Sequence, residues 1–80
     1  MTLEEVFGPD RRRYRLDYGE GIAAIYSTVE SGRIGWVREL YRELARDSAE
    51  ARTKLLVWRH LNGWPLDEAE EREAQALNRS

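Results

Sequence analysis

Four arginines around one tyrosine form the cluster in this chain that is best suited to chemistry. Arg11, Arg12, Arg13 and Arg15 surround Tyr14. Guanidinium groups pair with phosphates, and a tyrosine ring can stack on a base, so the cluster suits nucleic acid. Arginines spaced this closely are also common on a solvated surface. Nucleic-acid binding through these four arginines is therefore the alternative function that the sequence predicts.

Residues for catalysis or metal binding are sparse. His60 is the single histidine, and its neighbours one helical turn away, Leu56 and Trp64, supply no carboxylate or second ligand. An acidic run near the C-terminus lacks the ligand order and central glycine of a calcium loop; it comprises Glu68, Glu70, Glu71 and Glu73. We therefore expect no catalytic residue, no metal and no cofactor, and a protein that is not an enzyme.

Length and composition predict one small domain. The chain has 80 residues, a net charge of −2 and no cysteine, so disulfides and thiolate metal sites are excluded. The acidic N-terminus does not resemble a signal peptide, and no apolar stretch is long enough to span a membrane. We expect a cytoplasmic protein with no membrane partner. A core this small gains from a partner or from self-association.

The N-terminal half mixes helix and strand signals. Residues 2–5 look like a helix-capping sequence that starts a single turn. Tyr14, Leu16 and Tyr18 alternate with polar residues, which predicts a strand. Residues 22–29 fit either an amphipathic helix or the return strand of a hairpin, and the spacing of their apolar residues favours the helix.

The C-terminal half is predicted to hold three helices. Residues 33–46 place apolar side chains at helical spacing, and Asp47 begins a second helix that ends near Asn62. Asp67 begins a third, acidic helix that ends near Asn78. The core is expected to form from apolar residues of these segments, namely Leu40, Leu44, Leu55, Trp58 and Leu61.

These elements predict a mainly α fold. Three to four short helices would form a small single-domain helical bundle, preceded by an extended or β-hairpin N-terminal segment. Residues 1–21 would be an N-terminal arm, residues 22–62 the helical core and residues 63–80 the acidic C-terminal helix.

The order of these pieces resembles a family of small tail assembly chaperones from long-tailed phages and gene-transfer agents. The resemblance covers residues 13–77: a Tyr-Arg-Leu-Asp-Tyr strand, glycines, Ile-Ala-Ala-Ile, then Leu-Leu-Val-Trp, Pro-Leu and an acidic helix. Tyr26 departs from the pattern, which has a glutamate there. The resemblance implies a cytoplasmic viral accessory protein that holds another protein before assembly, with no catalytic residues.

A non-enzymatic protein-binding module is thus the leading prediction, with a second copy of the chain and nucleic acid as other partners. Tyr14, Leu16 and Tyr18 would form an edge strand that accepts a partner strand. Trp36 and Trp64 would add exposed aromatic contacts, since tryptophan is enriched at binding hot spots. Trp64, just after Gly63, also fits a local hydrophobic contact at a helix end.

Overall fold

A computed structural model describes residues 3–19, 21–31 and 34–78, and the side chains of residues 4–19, 21–27 and 39–78. The elements in chain order are β1 (Leu3–Phe7), β2 (Arg13–Asp17), β3 (Ile22–Ser31), β4 (Ile34–Leu44), α1 (Ser48–Leu61) and α2 (Glu68–Asn78). The strands form one antiparallel sheet in the order β1-β2-β3-β4. The fold is α+β, so the predicted mainly α helical bundle is wrong.

Three segments predicted as helical are strands. The turn predicted to follow Thr2, which lies outside the described residues, is replaced by β1. Residues 22–29 belong to β3, so the hairpin alternative is right, and residues 34–44 form β4. The strand predicted from the alternation around Leu16 is confirmed as β2.

A β-bulge explains why β4 has helix-like spacing. Ile25 pairs with Tyr41 while Tyr26 pairs with Glu39, which leaves Leu40 as the extra residue. In such a bulge two residues of one strand oppose a single residue of the other. Leu40 and Tyr41 therefore both oppose Ile25, and strict alternation of apolar residues is lost.

The β3–β4 hairpin extends beyond the rest of the sheet. Pairing of β2 with β3 reaches Ser27, opposite Tyr14. The β3–β4 pairing continues through four more residue pairs, from Thr28↔Val37 to Ser31↔Ile34. This part of the hairpin is a two-stranded ribbon.

Both predicted capping sequences in the C-terminal half are confirmed. Asp47 accepts a hydrogen bond from the backbone N–H of Glu50 at 2.8 Å. Asp67 and Glu70 form a reciprocal pair, in which each carboxylate accepts from the backbone N–H of the other residue. Gly63, at φ +72°, ends α1, and the N–H of Trp64 then reaches back to the Arg59 carbonyl, as in a Schellman motif.

The core lies between the sheet and α1, which packs against β3. Seven buried side chains form it: Leu16, Ala23, Ile25, Ala45, Ala51, Leu55 and Trp64. Leu55 and the half-buried Trp58 were predicted core residues and are confirmed in the packing. Leu40, Leu44 and Leu61 are exposed, so their assignment to the core is wrong.

Ion pairs attach the acidic α2 to α1. Glu70 pairs with Arg59 and Glu73 with Arg52, each at 3.3 Å, and the Glu71 carboxylate lies 2.6 Å from His60 Nδ1. Arg59 is 5 % exposed, and its Nη2 donates to Glu70. Three of the four carboxylates of the acidic run therefore contact α1, and the fourth, Glu68, is exposed and pairs with Arg72 within α2.

Candidate functional site

β4 ends the sheet on one side. Among the described residues no strand pairs with its far side, whereas β3 occupies the near side along the whole of β4. An unpaired edge of 11 residues presents a row of backbone N–H and C=O groups to which another strand can bind.

A groove of about 400 Å³ lies beside this edge, between β4 and α1. Its lining residues are Tyr41, Glu43, Thr53, Lys54, Val57, Trp58 and Leu61. The rings of Tyr41 and Trp58 stack with centroids 5.3 Å apart and an interplanar angle of 21°, which gives the groove a flat aromatic wall. Most of the lining is apolar, so the groove suits apolar side chains.

Hydrogen-bonded polar side chains form a cluster in the lining of the groove. Lys54 Nζ donates to Glu43 at 3.1 Å and to the Leu44 carbonyl at 2.9 Å, and it lies 3.6 Å from Glu50. The Tyr41 hydroxyl donates to Glu43. Because Lys54 and Glu43 already have these partners, the cluster borders the apolar part of the groove and does not offer an unpaired charge to a ligand.

Titration shifts in this cluster follow from burial and hydrogen bonding. Burial raises the pKa of Tyr41 to about 12, and the hydrogen bond to Glu43 adds to the rise. The same hydrogen bond, together with the one from Lys54, lowers the pKa of the Glu43 carboxyl. At neutral pH the cluster therefore holds a neutral phenol and an ionised carboxylate.

Three exposed leucines lie on β4 or in the groove. Leu40 is 40 % exposed, Leu44 78 % and Leu61 63 %. Leu40 and Leu44 belong to β4, and Leu61 lines the groove from the last turn of α1. Large apolar side chains gathered at one sheet edge are typical of a contact surface.

The predicted strand-addition site on β2 is wrong, because β1 and β3 occupy both sides of that strand. Leu16 is 2 % exposed and belongs to the core. The Tyr14 hydroxyl donates to Asp10 at 2.6 Å, and the Tyr18 hydroxyl donates to Glu4 at 3.2 Å. The edge strands of the described sheet are β1 and β4, and β4 is the longer of the two.

The two tryptophans predicted as contacts have different outcomes. Trp64 is 8 % exposed, and its ring packs edge-on against Tyr14 and Trp58 at centroid distances of 4.7 and 5.5 Å. It is a core residue at the helix end, so its prediction as an exposed contact is wrong. Trp36 pairs with Val29 on the β3–β4 ribbon, and its side chain lies outside the described part of the chain.

The arginine cluster is spread along a turn and a strand, next to carboxylates. Arg11 lies in the β1–β2 turn at φ +65°. Arg12 lies 4.0 Å from Asp10, and Arg13 lies 4.0 Å from Glu5. Arg15 pairs across the sheet with Glu5 on β1. These carboxylates offset much of the positive charge that a phosphate backbone would need.

His60, on α1, contacts a carboxylate of α2. Its Nδ1 lies 2.6 Å from Glu71 on α2. Within the part of the chain that the structure describes, no three potential ligands come together to hold a metal ion. The pairing could not be seen in the sequence, because it depends on how α2 docks.

The groove residues were missed because their apolar types and spacing also fit a buried helix face. Leu40 and Tyr41 fit a buried helix face when β4 is taken as a helix, and Leu61 fits the apolar side of α1. In the structure Leu40 and Leu61 are exposed, and Tyr41 is half-buried against Trp58.

Neither described helix, of 14 and 11 residues, is long and apolar enough to cross a membrane. Comparisons of the chain with protein-family models, with curated proteins and with solved structures gave no match.

Proposed function

We propose that this protein is a non-enzymatic protein-binding module that binds an extended polypeptide segment at the β4 edge. The observation that carries the proposal is the combination of an 11-residue strand, whose outer edge has no partner strand among the described residues, with an adjoining apolar groove. A segment added to β4 would satisfy the free backbone groups, and alternate side chains would enter the groove or contact the exposed leucines.

In this proposal the backbone and the side chains of the binding site contribute differently to recognition. Backbone hydrogen bonds along β4 would give affinity with little dependence on sequence. The Tyr41–Trp58 wall and Leu61 would select apolar side chains, because charged side chains would lose hydration there. The resemblance to phage tail assembly chaperones suits such a task, and the proposal includes that assignment and a cytoplasmic location as expectations from the sequence.

The test compares two exposed apolar residues on opposite sides of the fold. Leu61→Lys places a charge in the groove, whereas Phe7→Lys places the same charge on β1, at the other edge of the sheet. The two side chains are similarly exposed, at 63 % and 59 %, so both variants should keep the circular dichroism spectrum of the folded protein. Tagged proteins are used to capture partners from host lysate, with and without nuclease.

We expect the wild type and Phe7→Lys to recover the same protein after nuclease treatment, and Leu61→Lys to lose it. Equal recovery by all three proteins would contradict binding at the groove. Recovery that disappears with nuclease would instead favour nucleic acid and the arginine cluster of Arg11, Arg12, Arg13 and Arg15.

A further inference from the structure

The sequence of β4 is complementary to that of a second copy of β4 running antiparallel to it. Residues 37–44 read Val-Arg-Glu-Leu-Tyr-Arg-Glu-Leu. If two copies run antiparallel about the midpoint between Leu40 and Tyr41, opposite charges meet and apolar residues meet. Among the residues whose side chains the structure describes, the resulting pairs are Glu39 with Arg42 and Leu40 with Tyr41, each formed twice by symmetry.

The β-bulge makes this register geometrically consistent. Residues directly opposite each other in antiparallel strands must share a face of the sheet. In a regular strand Glu39 and Arg42 would lie on opposite faces, because they are separated by an odd number of positions. The bulge at Leu40 shifts the alternation, so that Glu39 and Arg42 pair with Tyr26 and Ala24, which share one face. Their side chains indeed form an ion pair at 3.8 Å.

The same shift places the central apolar residues together. Leu40 and Tyr41 both oppose Ile25, a core residue on the face that α1 covers. In the two-copy arrangement, Leu40 of each copy would therefore meet Tyr41 of the other on that face. Tyr41 lines the groove, so Leu40 of each copy would lie beside the groove of the other.

Registers shifted by one residue are excluded by the same rule. Centring the pairing on Tyr41 sets Glu39, which shares a face with Tyr26, against Glu43, which shares the opposite face with Ala23. Centring it on Leu40 sets Glu39 against Tyr41, which also lie on opposite faces. The bulge and the sequence together thus favour one register over its neighbours.

We propose that the segment bound at the β4 edge is β4 of a second copy of this chain. The inference rests on the proposed function, since it takes the same edge and groove as the docking site and names the occupant. Two four-stranded sheets become one eight-stranded sheet, with the helices of both copies on the same side. Leu40 and Leu44 become contact residues, and the long edge is no longer exposed.

The test uses charge reversal at Glu39 and Arg42, measured by sedimentation equilibrium. The wild type should be a dimer. Arg42→Glu and Glu39→Arg each place two pairs of like charges across the interface. At about 1 kcal/mol per pair, the dimer dissociation constant should rise about 30-fold in each variant.

Mixing the two variants separates contacts between chains from contacts within a chain. In both variants positions 39 and 42 of one chain carry the same charge, so the internal ion pair is lost in each. Between the two variants, however, both cross-strand pairs are again of opposite charge. An equimolar mixture should therefore form a heterodimer about as tight as the wild-type dimer.

Three outcomes would overturn the inference: a monomeric wild type at the highest soluble concentration, a dimer that neither variant weakens, or a mixture that does not associate. Leu61→Lys separates this failure from failure of the proposed function. A monomeric wild type whose captured partner is lost in Leu61→Lys would retain the docking groove and reject only the second copy as its occupant.

Discussion

Replacement of Trp64 by alanine is expected to destabilise the protein strongly. The indole is 8 % exposed and packs against Tyr14 and Trp58, which lie on the sheet and on α1. Through these contacts Trp64 joins the end of α1 to the first hairpin. Its removal leaves a cavity between both partner rings and removes a hydrophobic contact at the helix end.

The expected magnitude follows from the area that the indole buries. A buried tryptophan covers about 150–250 Å², which at about 25 cal/mol per Å² corresponds to about 4–6 kcal/mol. Residual compactness of the unfolded chain makes this an upper estimate. Truncation of buried aromatic residues to alanine costs about 3–5 kcal/mol in other proteins. We therefore expect the free energy of unfolding to fall by about 3–4 kcal/mol.

The measurement is urea unfolding followed by far-ultraviolet circular dichroism, because loss of an indole changes the fluorescence signal itself. Phe7→Ala serves as control, since Phe7 is an aromatic residue that is 59 % exposed. Its substitution should change the unfolding free energy by no more than about 0.5 kcal/mol. A loss below about 1 kcal/mol in Trp64→Ala, or equal losses in both variants, would refute the packing argument.

Three further predictions concern other parts of the fold. Gly8→Ala should lower the unfolding free energy by about 1–3 kcal/mol, because the added methyl group would overlap the ring of Tyr14, which is held on its other side. The unfolding free energy should fall as the pH rises from the ordinary tyrosine pKa of 10 towards 12, because the raised pKa of Tyr41 stabilises the folded state only while the phenol is protonated. Tyr41→Phe should make this dependence of the unfolding free energy on pH less steep across that range. Glu70→Gln should cost about 1.5–3 kcal/mol in thermal or urea unfolding, because the buried Arg59 would lose its charged partner.

The Glu70→Gln prediction has a matched control. Glu68→Gln removes an exposed carboxylate that pairs within α2, so it should change stability by less than about 0.5 kcal/mol. Equal effects of the two glutamine variants would show that burial of Arg59 is unimportant. An alkaline slope that is the same in Tyr41→Phe as in the wild type would contradict the assignment to Tyr41.

Local signals predicted the helices well. Capping sequences at Asp47 and Asp67 and the glycine at position 63 act within a few residues, and each is found at the predicted helix boundary. The alternation in β2 was also readable, because its two faces meet different environments: Leu16 is buried in the core and Arg15 is exposed.

The remaining elements depend on pairing between strands that are distant in the sequence, which local sequence patterns do not show. In β4, the bulge at Leu40 places apolar residues next to each other, which matches the spacing of an amphipathic helix better than that of a strand. The order of strands then determined which residues are exposed. Leu44 is a surface residue because it lies opposite Ile22, on the face of the sheet away from α1, and Tyr14 lost its predicted role because β2 is not an edge strand.

Glu70 makes two contacts that couple the formation of α2 to its docking on α1. One carboxylate both closes the N-terminal cap of α2 and neutralises Arg59 on α1. Ala74 is the single described residue of α2 that is fully covered, so the helix has little apolar contact to hold it in a partly formed state. Initiation of α2 and its attachment to α1 are therefore coupled in one cooperative step. Amide hydrogens along α2 should exchange with solvent through a shared opening event, rather than by gradual fraying from the cap.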